Sequence, residues 1–177
     1  MAVFIKNIFR KKSLRRHASE VPTGIIPLDR IKSYVAVIDV EDPSFDTCKE
    51  AILAFFREQG IKGSIFFMDF RKIGSEDRLI TSIQTTITRK DVNWYGKPSR
   101  YKMKVLEGLS PDLFISLIRE PDFTLEYMSR TSGARFKIGR KQVDGKTFDM
   151  VISDPHEKPL SQLESFSAMK TFLTRIQ

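Results

Sequence analysis

Apolar residues recur along this chain at two different periods, and the periods separate strands from helices. Tyr34-Val35-Ala36-Val37-Ile38, Ser64-Ile65-Phe66-Phe67-Met68 and Leu113-Phe114-Ile115-Ser116-Leu117-Ile118 are apolar at nearly every position. They lack the in-out alternation of a half-exposed strand, so each predicts a strand covered on both faces, as in a parallel sheet. The first ends at Asp39 and the second at Asp69. Residues 134–138 alternate and predict an edge or near-edge strand. Residues 147–153 predict the last strand, and 85–88 a short β-prone one. Helical spacing links Phe45, Cys48, Ile52, Phe55 and Phe56, with a start signal at Asp42-Pro43 and a stop at Gly60. Residues 99–109 predict a short helix closed by Gly108. Ser161 and Glu164 have capping-box spacing ahead of the stripe Leu163, Phe166, Met169, Phe172, Leu173 and Ile176.

The most informative stretch is 111–140. Its apolar run 113–118 is followed by Pro121, which suits a first helical turn because its missing N–H is no loss there. Asp122 and Glu126 place negative charge where a helix dipole favours it. Phe123 and Tyr127 share a face, and Gly133 suits the left-handed residue that ends a helix. Strand, helix and strand in this order form a β-α-β unit. The expected architecture is therefore a three-layer, Rossmann-like α/β domain over 21–177, with a mostly parallel sheet of about five strands. A linker holding Pro22, Gly24 and Pro27 leads into it from an N-terminal helix or arm, 1–20.

Two resemblances attach to quoted residues. Asp112-Leu113-Phe114-Ile115, Ser132-Gly133-Ala134-Arg135 and Ile138-Gly139-Arg140 are similar to a segment in the N-terminal domain of heptosyltransferases. The likeness implies a Rossmann-like fold. That family's first strand leads into a Gly-Asp turn, where this chain has Asp39-Val40-Glu41-Asp42-Pro43, and its second domain has no counterpart in these residues. More of the chain resembles a family of small uncharacterised bacterial proteins, a domain of unknown function. The resemblance rests on Asp91-Val92-Asn93-Trp94-Tyr95-Gly96-Lys97-Pro98, on the basic arm and on the run from Gly133 to Arg140. It brings no activity with it.

Composition narrows the classes. With 41% hydrophobic residues and 14 Phe, 177 residues can bury a substantial core. A single cysteine excludes an intramolecular disulfide and fits a reducing compartment. Cys48 falls on the apolar side of a predicted helix and reads as core, with His17 and His156 both distant in sequence. No apolar run approaches the ~20 residues that span a bilayer. The net charge of +8 is uneven: Lys6, Arg10, Lys11, Lys12, Arg15 and Arg16 supply six of it, with no acid among the first 18 residues.

That arm begins with apolar residues and continues with cationic ones, the reverse of a secretory signal. Met1, Ile5 and Phe9 are spaced by four, as are Phe4 and Ile8, so a helix here would carry an apolar face. The arm supports three readings: a helix packed on the domain by its apolar face, an interfacial helix on anionic lipid, or a nucleic-acid arm. The last ranks lowest, because no aromatic residues interleave with the basic ones.

Candidate chemistry is positional. Ligands of parallel α/β sheets bind outside the carboxyl ends of the strands, where Asp39, Asp69, Ser116 and Asp154 are expected. Such acids also cap helices and solvate turns, and that is the first expectation for them. In the loop Asn93, Trp94, Tyr95 and Lys97, the aromatics either stack on a ligand or pin the loop. No dinucleotide fingerprint, phosphate loop, nucleophile elbow or ordinary zinc pattern occurs, and no cofactor is implied. The leading expectation is a non-enzymatic, cytoplasmic binding or adaptor module, with the basic helix as a means of holding it at the inner membrane surface. A protein partner is the other candidate. The alternative is an enzyme or degenerate enzyme related to sugar transferases, with its ligand at the strand ends.

Overall fold

A computed structural model describes residues 2–72, 82–155 and 158–176. Met1 and His156 lie outside the described residues. The elements run α1 (Ala2–His17), β1 (Ser33–Asp39), α2 (Phe45–Glu58), β2 (Lys62–Asp69), β3 (Thr86–Thr88), α3 (Arg100–Leu109), β4 (Leu113–Ser116), α4 (Phe123–Thr131), β5 (Phe136–Gly139), β6 (Met150–Val151) and α5 (Gln162–Arg175).

The strands form one sheet in the order β3-β2-β1-β4-β5-β6, every neighbouring pair parallel. The chain winds outward from β1 to β3, returns to β4 at the other side of β1, and winds outward again. That is the doubly wound Rossmann order, with its switch point between β1 and β4.

The unbroken apolar runs are explained by burial from both sides. Val35, Ala36, Val37 and Ile38 of β1 and Phe114 and Ile115 of β4 are wholly buried. Alternate residues feed two cores. Tyr34, Ala36 and Ile38 pack with Phe55 and Phe56 of α2 and Phe166 of α5. Val35, Val37 and Phe114 pack with Leu106 of α3, Phe123 and Met128 of α4, and Leu14 of α1. The two-residue period of a strand thus becomes two hydrophobic layers. Tyr34 stacks on Phe56 at 3.8 Å between centroids. Position 63 has to be glycine beside it, since a Cβ there would lie 2.2 Å from the Tyr34 carbonyl oxygen. Both edge strands are short, which limits the unpaired backbone offered to other chains.

Asp112 locks the amino ends of three strands together. Its Oδ2 accepts from the Lys32 and Ser33 amides at 2.8 and 3.2 Å, just ahead of and at the start of β1. Its Oδ1 accepts from Arg135 Nη2 and Nε at 2.7 and 3.1 Å. Its carbonyl accepts from the Arg135 and Phe136 amides at the start of β5, and its own N–H donates to Ser33. Burial raises this carboxyl, but the bonds from Lys32, Arg135 and Ser33 outweigh burial and hold it below the usual aspartate range.

The mostly parallel sheet of about five strands is borne out, with six strands among the described residues, all parallel. Several finer expectations need correction. The last strand is two residues, not seven, because it pairs with β5 alone at the sheet's edge. β5 and β6 are parallel, so the segment joining them, which includes Gly145 at φ +82°, is a crossover. β5 is buried at all four positions, not alternating. Pro121 precedes α4 instead of starting it: Asp122 is the cap, its side chain accepting from the Leu125 amide at 3.1 Å. Ser132 in extended geometry ends α4, so Gly133 is not its left-handed terminus. Gly108 lies inside α3, which Ser110 closes at φ 38°. Gly60 takes the positive φ, +67°, expected after α2.

Replacing Asp112 by alanine should lower the unfolding free energy by ~2 kcal/mol at neutral pH, since several donors lose a charged acceptor. The carboxyl is depressed in the folded state. Its contribution is therefore complete above the unfolded aspartate value, about 3.9, and disappears as pH falls through the lower folded value. Urea midpoints of wild type and Asp112→Ala should differ at pH 7 and converge in that acid window.

Candidate functional site

Two regions of the molecule carry candidate chemistry: the carboxyl rim of the sheet, and α1 with the loop beneath it.

At the switch point, a cavity of about 300 Å³ lies between the β1–α2 turn and the segment after β4. It is lined by Asp39, Glu41, Asp42, Arg119, Glu120 and Arg140, among others. Asp39 also borders a smaller cavity of about 200 Å³ with Glu41, Glu120 and Asp122. The carboxyl of Asp39 is raised, first by burial and then by Glu41, Asp42 and Asp69, against a lowering hydrogen bond from the Glu41 amide at 2.8 Å. The backbone of Asp39 is closed off by Gln162 of α5. The Asp39 amide donates to Gln162 Oε1, and Gln162 Nε2 donates to the Asp39 carbonyl, both at 2.7 Å.

The other rim residues are engaged by the fold. Asp69 is 3% exposed and holds Arg71 with both oxygens, Nε at 2.9 Å and Nη2 at 3.0 Å. Asp154 grips Arg140 Nη2 at 2.8 and 3.0 Å and borders a separate cavity of about 600 Å³ on the far side of Arg140. Ser116 is buried, its Oγ accepting from the Ile118 amide at 3.4 Å. The rim therefore places Asp39 near Asp69, while Asp154 stands apart behind Arg140. Arg140 and Gln162 are rim residues that strand-end reasoning missed. Arg140 follows β5 directly and was legible as a strand-end position, but Gln162 opens a helix distant in sequence and carried no signal.

The turn after β1 differs from a phosphate site in kind. A phosphate cradle needs free backbone amides and positive helix N-termini. Here the turn carries three acids, and those acids fill the donors. Asp42 Oδ1 accepts from the Ser44 amide and hydroxyl at 2.8 and 2.6 Å, and its Oδ2 accepts from the Gln162 amide at 3.3 Å. Ser161 and Glu164 complete the expected capping box, which holds Glu164 low. Among the described residues no group of His, Cys, Asp and Glu is arranged to hold a metal. Cys48 is wholly buried beneath this turn, and burial pushes its thiol up to about 12, against any nucleophilic use.

The second region combines α1 with the loop 91–98. Asn93 organises that loop: its Oδ1 accepts from the Tyr95 and Lys97 amides at 3.2 and 2.9 Å, and Gly96 takes φ +93°. The loop clasps both neighbouring helices. Thr124 of α4 donates to the Gly96 carbonyl, and Lys97 lies 5.2 Å from the Tyr127 ring centre. Arg10 Nε of α1 donates to the Tyr95 carbonyl at 2.8 Å, with its guanidinium 4.7 Å from the Phe123 ring centre. Phe9 packs on Trp94 at 5.3 Å and on Tyr95 at 6.0 Å. Trp94 is nevertheless 60% exposed, whereas half-buried Tyr95 packs against the core beside Phe123.

α1 touches the body through its second half, where Ser13 and Leu14 are buried. Its first turns stand clear: Val3 and Phe4 are 72% and 70% exposed and Ile5 and Ile8 more than 40%, whereas Phe9 keeps one side on Trp94 and Tyr95. An apolar face packed on the domain is therefore not what these residues make. They surround the helix tip, and Lys11, Lys12, Arg15 and Arg16 follow as an exposed cationic band, with Lys6 and Arg10 half-buried. No helix among the described residues is long and apolar enough to cross a membrane.

Strand order, layers and the switch-point cavity together define a doubly wound α/β protein of Rossmann-like architecture, preceded by a basic helix. The chain belongs to a family of unknown function, DUF6913, whose model matches residues 4–174. No curated protein and no solved structure matches it.

Removing the Asp39 charge should stabilise the protein. A carboxyl raised on folding makes stability fall as pH rises from the unfolded aspartate value through the higher folded one. Asp39→Asn keeps an acceptor for the Glu41 amide and abolishes that fall. Its melting temperature should exceed that of wild type at pH 7, and the gap should close below pH ~3.9.

Proposed function

We propose that this protein is a non-enzymatic α/β binding module that attaches to an anionic membrane surface through α1, on the cytoplasmic side. The observation that carries this reading is the exposed apolar tip of α1, directly ahead of a cationic band and beside Trp94. Exposed apolar groups gathered at one place mark interaction surfaces. Charge selects the occupant: Lys11, Lys12, Arg15 and Arg16 stand in solvent on the same helix and complement anionic headgroups. Each basic residue near such a surface contributes ~1 kcal/mol, and burying an exposed Phe or Ile side chain contributes roughly 1.5–3 kcal/mol. Trp94 has the amphipathic ring suited to the headgroup level. A nucleic acid would meet the same cations but would leave the apolar turns in water.

Full-length protein should sediment with vesicles containing anionic lipid and not with neutral ones. Phe4→Ser with Ile8→Ser should weaken binding at least tenfold, because each residue contributes more than the ~1.4 kcal/mol that a tenfold change represents. The melting temperature should barely move, since neither side chain is buried. Sedimentation equal to wild type would remove the reading.

The alternative places a ligand in the switch-point cavity of an enzyme, or former enzyme, related to sugar transferases. The raised Asp39 carboxyl favours it. The acidic turn opposes an anionic nucleotide-sugar there, so a panel of nucleotides and nucleotide-sugars should leave the melting temperature unmoved. A ligand-dependent rise that Asp39→Asn abolishes would move the function to the cavity.

A further inference from the structure

We infer that the cavity between α1 and α4 binds the phosphodiester headgroup of an anionic phospholipid, with preference for a hydroxylated headgroup such as glycerol; this rests on the membrane reading and gives it a specific site. The cavity measures about 540 Å³ and is lined by Arg10, Lys11, Leu14 and Arg15 of α1, by Phe123, Glu126 and Arg130 of α4, and by Asp144. Its volume falls within the range of sites that enclose small ligands.

The four cations divide into two kinds. Arg10 and Arg130 are held in place, Arg10 by the Tyr95 carbonyl and the Phe123 ring, Arg130 by Glu126 Oε1 at 3.2 Å. Lys11 and Arg15 are exposed, and neither forms an ion pair with a carboxylate among the described residues. Fixed guanidinium groups from two helices give a bidentate phosphate site its geometry, and the unpaired cations add attraction. Glu126 and Asp144 are outnumbered, so an anion is still favoured. Their oxygens supply acceptors for hydroxyl groups, which a glycerol head offers and the phosphodiester itself lacks.

Position argues for lipid as the source of the phosphate. Residues 4, 7, 11 and 14 fall on one face of α1. Asn7, Lys11 and Leu14 of that face line the cavity, and exposed Phe4 lies one turn beyond Asn7. A headgroup in the cavity would leave its acyl chains beside Phe4.

The test titrates full-length protein with dihexanoylphosphatidylglycerol below its micelle concentration, by calorimetry, and measures sedimentation with phosphatidylglycerol and phosphatidylserine vesicles of equal anionic fraction. We expect saturable binding of the short-chain lipid, weakened at least tenfold by Arg130→Gln and unchanged by Arg57→Gln, an exposed residue of α2 on the opposite side of the sheet. Arg15→Gln, exposed and unpaired, should weaken it as well and covers the case in which Arg130→Gln fails to fold. Phosphatidylglycerol vesicles should be preferred over phosphatidylserine. Wild-type sedimentation reduced equally by Arg130→Gln and by Lys12→Gln, which is on α1 but outside the cavity, overturns the cavity and leaves the membrane reading standing. Inorganic phosphate binding as tightly as the short-chain lipid overturns the lipid source, and equal affinity for both vesicle types overturns the hydroxyl preference. No sedimentation by wild type at all removes the membrane reading and this inference with it.

Discussion

One carboxylate sets the geometry from which the rest follows. Asp112 holds the amino ends of β1, β4 and β5 through both of its oxygens and its own peptide group. Parallel strands have no tight turn to fix their register, so the register of the central three must be set by something else. Here an ion pair and backbone amides converge on a single side chain. With the amino ends fixed, the carboxyl ends of β1 and β4 emerge side by side, and the switch-point cavity lies between them.

The molecule separates its charges. At the carboxyl edge of the sheet, acids satisfy internal donors: Asp42 accepts from Ser44 ahead of α2 and from the first amide of α5, Asp69 holds Arg71, and Asp154 holds Arg140. That edge is closed by its own bonds, with the raised carboxyl of Asp39 as the strained member. On the opposite face of the sheet from α2 and α5, Lys11 and Arg15 of α1 form no ion pair among the described residues. α1 rests on α4 through Leu14 and through the clasp of Arg10, Phe9 and the 91–98 loop. Its remaining apolar and basic residues point outward. A surface left unsatisfied on a helix otherwise firmly held is a stronger functional signal than a rim whose aspartates already have partners.

The strands were legible because burial on both faces leaves no alternation. Residues 34–38, 64–68 and 113–118 are recognisable for that reason alone, and Ser161 with Glu164 announces α5 through local hydrogen bonds. The misreadings share a cause. β6 was overrun because strand length depends on a neighbour's pairing and not on the residues themselves. Gly133 and Gly108 looked like helix ends, yet Ser132 and Ser110 serve instead, since where a helix ends depends on what the next segment must reach. Among the candidate site residues, Trp94, Tyr95 and Lys97 do lie together, against α1 and α4. Their partner in the sequence, Phe9, is far away and carries no matching pattern.

By itself the sequence determined the layer count, the parallel sheet, the basic helix and its apolar beginning, because these depend on composition and on periods of a few residues. Tertiary structure decided which strand lies beside which, that Asp112 joins three of them, and that Asp39, Arg140 and Gln162 meet at one edge. It also decided that the first turns of α1 stay in solvent while Leu14 is buried. Those outcomes depend on contacts between residues 23 to 123 positions apart, such as Asp112 with Arg135 or Asp39 with Gln162, and no local pattern encodes a partner at that distance.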